Sequence, residues 1–160
     1  MKTAIIGAGN MGGSIARGLA KGSIIPASDI IVSNPSQSKL DALKAEFPAL
    51  QTTHDNQEAV TGADFIILAV KPWLIKPVLR ELKLKSKQII ISVAAGINFE
   101  ELAHNVAEKE MTMFRIIPNT AISEMESMTL IASRNATKEQ EQLMLDLSLI
   151  HISEPTRPRL

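Results

Sequence analysis

The chain has 160 residues, of which 45% are apolar and 21% are charged, and its formal net charge is zero. These totals are typical of one globular domain, and the neutral balance argues against binding to nucleic acid or to an anionic membrane. Because the chain has no cysteine, it excludes a disulfide scaffold and a thiolate metal site. The sequence also has no apolar run of the roughly 18 residues that a membrane span needs, and its start does not resemble a signal peptide. We therefore expect a cytoplasmic enzyme or binding domain.

Short apolar runs alternate with helical patterns along the chain. The runs are rich in isoleucine and valine and show little alternation, which is typical of strands covered on both faces. This order of elements predicts a doubly wound α/β domain with a mostly parallel sheet. The predicted strands are Thr3–Ile6, Ile30–Ser33, Phe65–Val70, Gln88–Val93, Met113–Ile117 and Met128–Ala132.

Helices are predicted between these strands. Met11, Ile15 and Leu19 recur on one face of a helix that follows the first strand. Two pairs further along have the spacing of capping boxes, which open helices. These pairs are Asn98 with Glu101 and Thr137 with Gln140.

A glycine-rich loop, Gly7-Ala8-Gly9-Asn10-Met11-Gly12, follows the first strand directly. The pattern G-x-G-x-x-G between a strand and a helix is typical of a Rossmann-like dinucleotide site. Gly7 permits a tight turn, Gly9 lets a pyrophosphate approach the backbone, and Gly12 lets the helix pack closely. The free N–H groups at the helix start then favour phosphate. The alternative is a purely structural glycine turn in another α/β protein.

The end of the second strand indicates which dinucleotide binds. NAD sites usually carry an acidic residue there for the ribose 2′-OH. This chain has Ser33, Asn34, Pro35 and Ser36 instead, with Lys39 in the helix that follows. No carboxylate would repel a 2′-phosphate, so we expect NADPH to be preferred, with NADH possible. The same residues also suit a simple turn and helix cap.

Four segments together resemble the pyrroline-5-carboxylate reductase family, which reduces 1-pyrroline-5-carboxylate to L-proline with NAD(P)H. They are the glycine-loop segment at residues 4–19, "ILAVKP" at Ile67–Pro72, "SVAAGI" at Ser92–Ile97 and "RIIPNT" at Arg115–Thr120. The resemblance runs from about Met1 to Asp146. It implies a Rossmann-like cofactor domain and a small-molecule substrate.

The resemblance also implies residue roles at the ends of the strands. Cofactor contacts would come from Ile6, Gly7, Ala8, Gly9, Asn10, Met11, Gly12, Ser33, Asn34, Pro35, Asn56, Ala69, Val70, Lys71, Pro72, Ala94, Ala95 and Gly96. Pro118, Asn119 and Thr120 would face the substrate. Trp73 and the segment after Thr120 depart from the family pattern, so the substrate side is less defined than the cofactor side.

We assign no catalytic residue. A protonated imine is already electrophilic, so hydride transfer needs mainly alignment and exclusion of water. Lys71 is positive and follows a strand, but an exposed lysine before a helix-starting proline explains it equally well. His54, His104 and His151 are scattered, and no pair has metal-ligand spacing with a carboxylate, so we expect no metal site.

The family has a second, helical domain that binds substrate and forms the homo-oligomer. We expect residues 1–146 to form the dinucleotide-binding domain, here as a fragment without that helical dimerisation domain. Residues 147–160 would be a non-native tail, since "SLIHISEPTRPRL" resembles a translated sequencing adapter. A fragment of this kind would lack the dimer interface and be inactive alone.

Two other functions remain open. The chain could belong to another NAD(P)-dependent reductase with a similar cofactor domain, such as a 2-hydroxy-acid or deazaflavin oxidoreductase. It could also be a nucleotide-binding module without catalysis. The segments "AVKP" and "PNT" favour the imine reductase.

Overall fold

The computed structural model describes residues 1–22, 24–106, 110–118 and 128–151. Its centre is a seven-stranded sheet with the order β3-β2-β1-β4-β5-β6-β7. The first six strands are parallel and β7 pairs antiparallel with β6. This architecture confirms the predicted Rossmann-like, mostly parallel α/β fold. The strands are β1 Thr3–Ile6, β2 Ile30–Ser33, β3 Gln51–Thr53, β4 Phe65–Leu68, β5 Ile89–Ser92, β6 Thr112–Pro118 and β7 Met128–Arg134.

Six α-helices cover both faces of the sheet in the described part of the chain. Their bounds are α1 Asn10–Lys21, α2 Gln37–Glu46, α3 Asn56–Val60, α4 Pro72–Glu81, α5 Phe99–His104 and α6 Lys138–His151, and a short 3₁₀ helix spans Ala27–Asp29. None of the helices in the described ranges is long and apolar enough to cross a membrane.

The sheet separates two hydrophobic clusters because successive strand residues point to opposite faces. In β1, Ile5 packs with α1, α2 and α6, whereas Ala4 and Ile6 pack with α3, α4 and α5. All four residues of β1, β4 and β5 are buried. Burial on both faces explains why these strands read as continuous apolar runs rather than alternating ones.

Several predicted boundaries were wrong by one or two residues. β4 ends at Leu68 rather than Val70, and β5 is shorter than predicted at both ends, whereas β6 and β7 are longer. The strand β3 was not predicted. It has three residues, none of them fully buried, so it lacks the apolar run that identified its neighbours.

Both predicted capping boxes are present. The Asn98 side chain accepts from Glu101 N at 2.9 Å while Glu101 accepts from Asn98 N at 3.3 Å. Thr137 Oγ1 accepts from Gln140 N at 3.1 Å, and Gln140 accepts from Thr137 N at 2.8 Å. Each pair satisfies two amides that the helix itself leaves without partners, and so fixes where α5 and α6 begin.

A buried glutamine joins the α3–β4 turn to the start of β5. Gln88 Nε2 donates to the carbonyls of Val60 and Ala63, both at 2.8 Å, and its Oε1 accepts from Lys85 N at 2.8 Å. The side chain therefore satisfies three backbone groups around the amino end of the sheet. Loss of such a side chain leaves buried polar groups without partners.

We predict that Gln88→Leu lowers the free energy of unfolding by about 2–3 kcal/mol, because leucine can replace none of these hydrogen bonds. Urea denaturation of the purified chain measures the change. Gln142→Leu is the matched control: Gln142 is exposed on α6 and bonds only Asp146 among the described hydrogen bonds, so a change within about 0.5 kcal/mol is expected. Equal effects of the two substitutions would contradict the role of Gln88.

Candidate cofactor-binding site

The glycine loop lies where the direction of strand order reverses. From β1 the chain passes to β2 and β3 on one side of the sheet, and from β4 it passes to β5 and β6 on the other. The carboxyl ends of β1 and β4 therefore flank a topological switch point, where open α/β sheets bind ligands. The predicted cofactor residues Ile6–Gly12 end β1 and begin α1 at this point.

The three glycines of the loop have different surroundings. Gly7 has φ +107°, a backbone conformation that L side chains rarely adopt. A Cβ atom on Gly12 would lie 1.9 Å from the Gly7 carbonyl oxygen and 3.3 Å from the Ala69 Cβ. A Cβ atom on Gly9 would meet no heavy atom within 4 Å. Gly7 and Gly12 thus serve the turn and the packing of α1, whereas Gly9 leaves open space above the backbone, as the sequence predicts.

Backbone hydrogen bonds hold the ends of neighbouring strands at one level. Gly7 N donates to Ser33 O at 2.8 Å, and Ala69 N donates to Ile6 O at 2.9 Å. On the far side of β4, Val93 N donates to Leu68 O at 3.3 Å. The loops after β2, β1, β4 and β5 consequently begin side by side along one edge of the sheet.

Asn34 connects the glycine loop to the end of β2. Its side chain is buried, and Oδ1 accepts from Ala8 N at 2.9 Å. Its backbone N donates to Thr53 O at 3.2 Å, and its backbone carbonyl contacts His54 Nδ1 at 2.8 Å. One residue therefore joins the β1–α1 loop, the β2–α2 turn and the end of β3.

The end of β2 contains further polar contacts and no acidic side chain. Ser33 Oγ donates to Asn56 Oδ1 at 2.6 Å, which brings together two predicted cofactor residues from β2 and α3. Asn34 Nδ2 donates weakly to Ser36 O at 3.4 Å. Pro35 is exposed between them. The turn thus presents hydroxyl and amide groups where many dinucleotide-binding domains carry a carboxylate.

The remaining predicted residues lie at the carboxyl ends of the strands on the other side of the switch point. Ala69, Val70 and Lys71 connect β4 to α4, and Pro72 is the first residue of α4. Ala94, Ala95 and Gly96 follow β5, with Gly96 at φ +77°.

Pro118 ends β6, which lies three strands and thus about 15 Å to the side of β1 by strand spacing. Asn119 and Thr120 lie outside the described residues. The structure therefore brings the glycine loop into contact with the ends of β2 and β4, whereas Pro118 stands apart from it.

Lys71 is exposed and precedes the helix as its N-cap. Pro72 at the first helical position accounts for the start of α4, because its missing N–H is one that a helix leaves unpaired anyway. Nothing in the contacts of Lys71 distinguishes it from a surface lysine. Within the described ranges, no three side chains of His, Cys, Asp or Glu come together as metal ligands.

Sequence reasoning missed two side chains beside the β2–α2 turn, His54 and Gln37. His54 Nε2 lies 2.6 Å from Gln37 Oε1, and Gln37 Nε2 donates to Asp41 Oδ1 at 2.8 Å. The histidine was considered only as a metal ligand. A signal was available for Gln37 alone, since Gln37 and Asp41 are four apart at the start of the helix that follows the β2–α2 turn.

A separate open groove of about 750 Å³ lies between α4 and α5. Pro72, Trp73 and His104 are among the residues that line it, and Trp73 is 73% exposed. Pro72 is shared with the predicted cofactor set, but the glycine loop does not reach this groove. Because no residue of the glycine loop lines it, the groove is a poorer candidate for the cofactor than the switch point.

Known proteins resemble this chain over most of its length. Residues 2–96, more than half of the chain, match the family described as "NADP oxidoreductase coenzyme F420-dependent". The chain belongs to this family. Its curated relatives include pyrroline-5-carboxylate reductase 3 of Danio rerio, 35% identical over 147 residues, which cover 91% of this chain and 50% of that protein.

Solved structures show the same relationship. A pyrroline-5-carboxylate reductase from Coxiella burnetii superposes with a TM-score of 0.82 at 30% identity, covering 94% of this chain and 56% of that one. The Plasmodium falciparum pyrroline carboxylate reductase, solved with NADP bound, gives a TM-score of 0.79 at 25% identity, covering 95% of this chain and 55% of that one. These likenesses confirm the predicted family resemblance. The chain spans about half the length of the curated relatives it matches.

We predict that alanine destabilises the protein much more at Gly12 than at Gly9. Gly12→Ala should lower the free energy of unfolding by about 3 kcal/mol, because its Cβ would overlap a backbone carbonyl that has nowhere to move. Gly9→Ala should cost less than about 1 kcal/mol, since its φ of −70° suits alanine and the space is open. Thermal and urea unfolding of the two variants test this. An equally destabilised Gly9→Ala variant would contradict the open space above the loop.

Proposed function

We propose that this chain binds NADPH at the switch point and is the cofactor-binding part of a reductase that converts 1-pyrroline-5-carboxylate to L-proline. The observation that carries the cofactor proposal is the open space over Gly9, at the start of α1, beside a β2 end that lacks an acid. The pyrroline-5-carboxylate reductases among its relatives support the substrate. NADP in the Plasmodium falciparum structure supports the choice of dinucleotide.

The described residues suit the parts of a dinucleotide in order along the sheet edge. Ile6–Gly12 would cradle the pyrophosphate, since the start of α1 offers unpaired amides with a positive dipole end. Ser33, Asn34, Pro35 and Asn56 would surround the adenosine ribose. Ala69–Pro72 and Ala94–Gly96 would line the path towards the nicotinamide end.

The bound dinucleotide would supply the hydride for reduction of a carbon–nitrogen double bond. The chain's own residues contribute alignment and dryness rather than acid–base groups. Ala69, Val70 and Ala94 are small or apolar and at least half-buried, so they would help to keep water from the nicotinamide end of the site. Pro118–Thr120 would face the substrate.

The properties of the whole protein belong to this proposal as well. We propose that residues 1–146 form the cofactor domain, that residues 147–160 are not native to the family, and that the complete reductase is a cytoplasmic homo-oligomer. In that arrangement most substrate contacts and the dimer interface would come from a helical domain outside this chain. A small molecule, rather than nucleic acid or a membrane, would be its partner.

We predict that Asn34→Asp reverses the cofactor preference. Aspartate keeps the acceptor for Ala8 N, so the loop stays in place, but it adds a negative charge where a 2′-phosphate would bind. Fluorescence titration should show NADPH affinity reduced at least about tenfold, with NADH affinity unchanged or higher. Asn98→Asp is the matched control, since it makes the same charge change at the cap of α5, where aspartate caps equally well. An unchanged NADPH to NADH ratio in Asn34→Asp would refute the proposed position of the 2′-phosphate.

We also predict that the 160-residue chain binds NADPH without reducing pyrroline-5-carboxylate. The chain spans about half of its curated relatives, and the proposed substrate contacts lie largely beyond it. The assay follows the loss of NADPH absorbance in the presence of pyrroline-5-carboxylate, run beside a full-length pyrroline-5-carboxylate reductase. Turnover by this chain would overturn the proposal that a second domain is required.

A further inference from the structure

A hydrogen-bonded network of four polar groups runs across the outer side of the β2–α2 turn. The Asn34 carbonyl contacts His54 Nδ1 at 2.8 Å, His54 Nε2 contacts Gln37 Oε1 at 2.6 Å, and Gln37 Nε2 contacts Asp41 Oδ1 at 2.8 Å. At the inner end of this network, Asn34 also accepts a hydrogen bond from Ala8 N in the glycine loop. The network therefore starts at the proposed adenosine site and ends on the surface of α2.

The groups at both ends of this network can only accept hydrogen bonds. The Asn34 carbonyl is an acceptor, and so is the Asp41 carboxylate. A neutral imidazole has one donor and one acceptor. If it donates to Asn34, its other nitrogen must accept from the Gln37 amide, and the Gln37 oxygen then faces the Asp41 carboxylate. All three contacts are satisfied together when both ring nitrogens of His54 carry a proton, the Gln37 oxygen accepts from Nε2 and the Gln37 amide donates to Asp41.

We propose that His54 is a specificity-determining residue of the cofactor site: in its doubly protonated form it places a positive charge beside the β2–α2 turn and favours the 2′-phosphate of NADP over the 2′-OH of NAD. The inference rests on the proposed function. In other dinucleotide-binding domains a nearby arginine supplies this charge. Because histidine changes charge between about pH 5 and pH 8, the discrimination between the two cofactors becomes dependent on pH.

The charged groups around the ring limit the size of the effect. α2 carries Lys39 and Asp41, and the start of α3 carries Asp55 and Glu58. Asp41 reaches the ring through Gln37, while Asp55 is engaged as the cap of α3, accepting from Gln57 N at 2.9 Å. His54, Gln37 and Asp41 are exposed, so water screens their charges. We expect protonation of His54 to change the NADP to NAD preference about three- to fivefold.

The test uses the full chain and the acid-stable oxidised cofactors. Dissociation constants of NADP⁺ and NAD⁺ are measured by calorimetry in a pH series from about 6 to about 8.5, for the unchanged chain and for His54→Gln. Phosphate monoesters themselves take up a proton near pH 6, so the 2′-phosphate weakens binding at low pH in every variant. His54→Gln measures that background. His104→Gln is the matched control, an exposed histidine on α5 outside the site.

The measured quantity is the preference for NADP⁺ over NAD⁺, divided by the same preference in His54→Gln. For the unchanged chain and for His104→Gln, this ratio should rise about three- to fivefold as the pH falls from about 8 to about 6. Identical profiles for the unchanged chain and His54→Gln would overturn the inference while leaving NADP⁺ binding, and hence the proposed function, intact. Failure of the unchanged chain to bind either cofactor at any pH would refute the proposed function itself.

A second measurement needs no cofactor. Nitrogen chemical shifts of the ring in ¹⁵N-histidine-labelled protein report which nitrogen carries the proton in the neutral form. Because Nδ1 faces the Asn34 carbonyl, the neutral ring of His54 should carry its proton on Nδ1. A neutral ring protonated on Nε2 would break the contact with Asn34 and contradict the network on which the inference depends.

Discussion

The site depends on one close approach, between the start of α1 and the turn that precedes it. Position 12 lies so near the Gly7 carbonyl that a Cβ there would stand 1.9 Å from the oxygen. This approach is possible because glycine occupies both positions, with Gly7 in a backbone conformation that other residues avoid. It directs the first amides of α1 towards the open space over Gly9, which is the geometry that phosphate binding requires.

The parallel sheet places the loops of neighbouring strands beside this turn, so that the candidate site extends along one edge of the sheet. Parallel strands end at one edge, and backbone hydrogen bonds link Ser33 to Gly7 and Ile6 to Ala69 across that edge. Asn34 adds a side-chain hydrogen bond from the β2 end to Ala8 within the glycine loop. Displacement of either loop would leave a buried polar group without a partner, which is costly in a protein interior. The proposed adenosine and pyrophosphate ends of the site are therefore linked by hydrogen bonds within the protein itself.

The sequence predicts the fold and the glycine loop well because both depend on local patterns. Buried strands such as Ile89–Ser92 appear as apolar runs, and the spacing of Asn98 and Glu101 identifies a helix start. The strand Gln51–Thr53 was missed because a short, partly exposed strand has no such run. His54 and Gln37 were missed as members of the site for a different reason. They are 17 residues apart, and hydrogen bonds between distant side chains follow from the fold rather than from periodicity.

The position of α6 has a consequence for synthesis of the protein. Met144 on this helix is buried in the same cluster as Ile15 and Leu19 of α1, and the two helices are neighbours. α1 is among the first segments to leave the ribosome. Its packing partner α6 follows only after more than a hundred further residues have been made. At about 5–20 residues per second, that interval is on the order of 10 s. During this time the apolar face of α1 has to be shielded by α2 and the first strands alone, so the earliest part of the chain to be made is among the last to be fully enclosed.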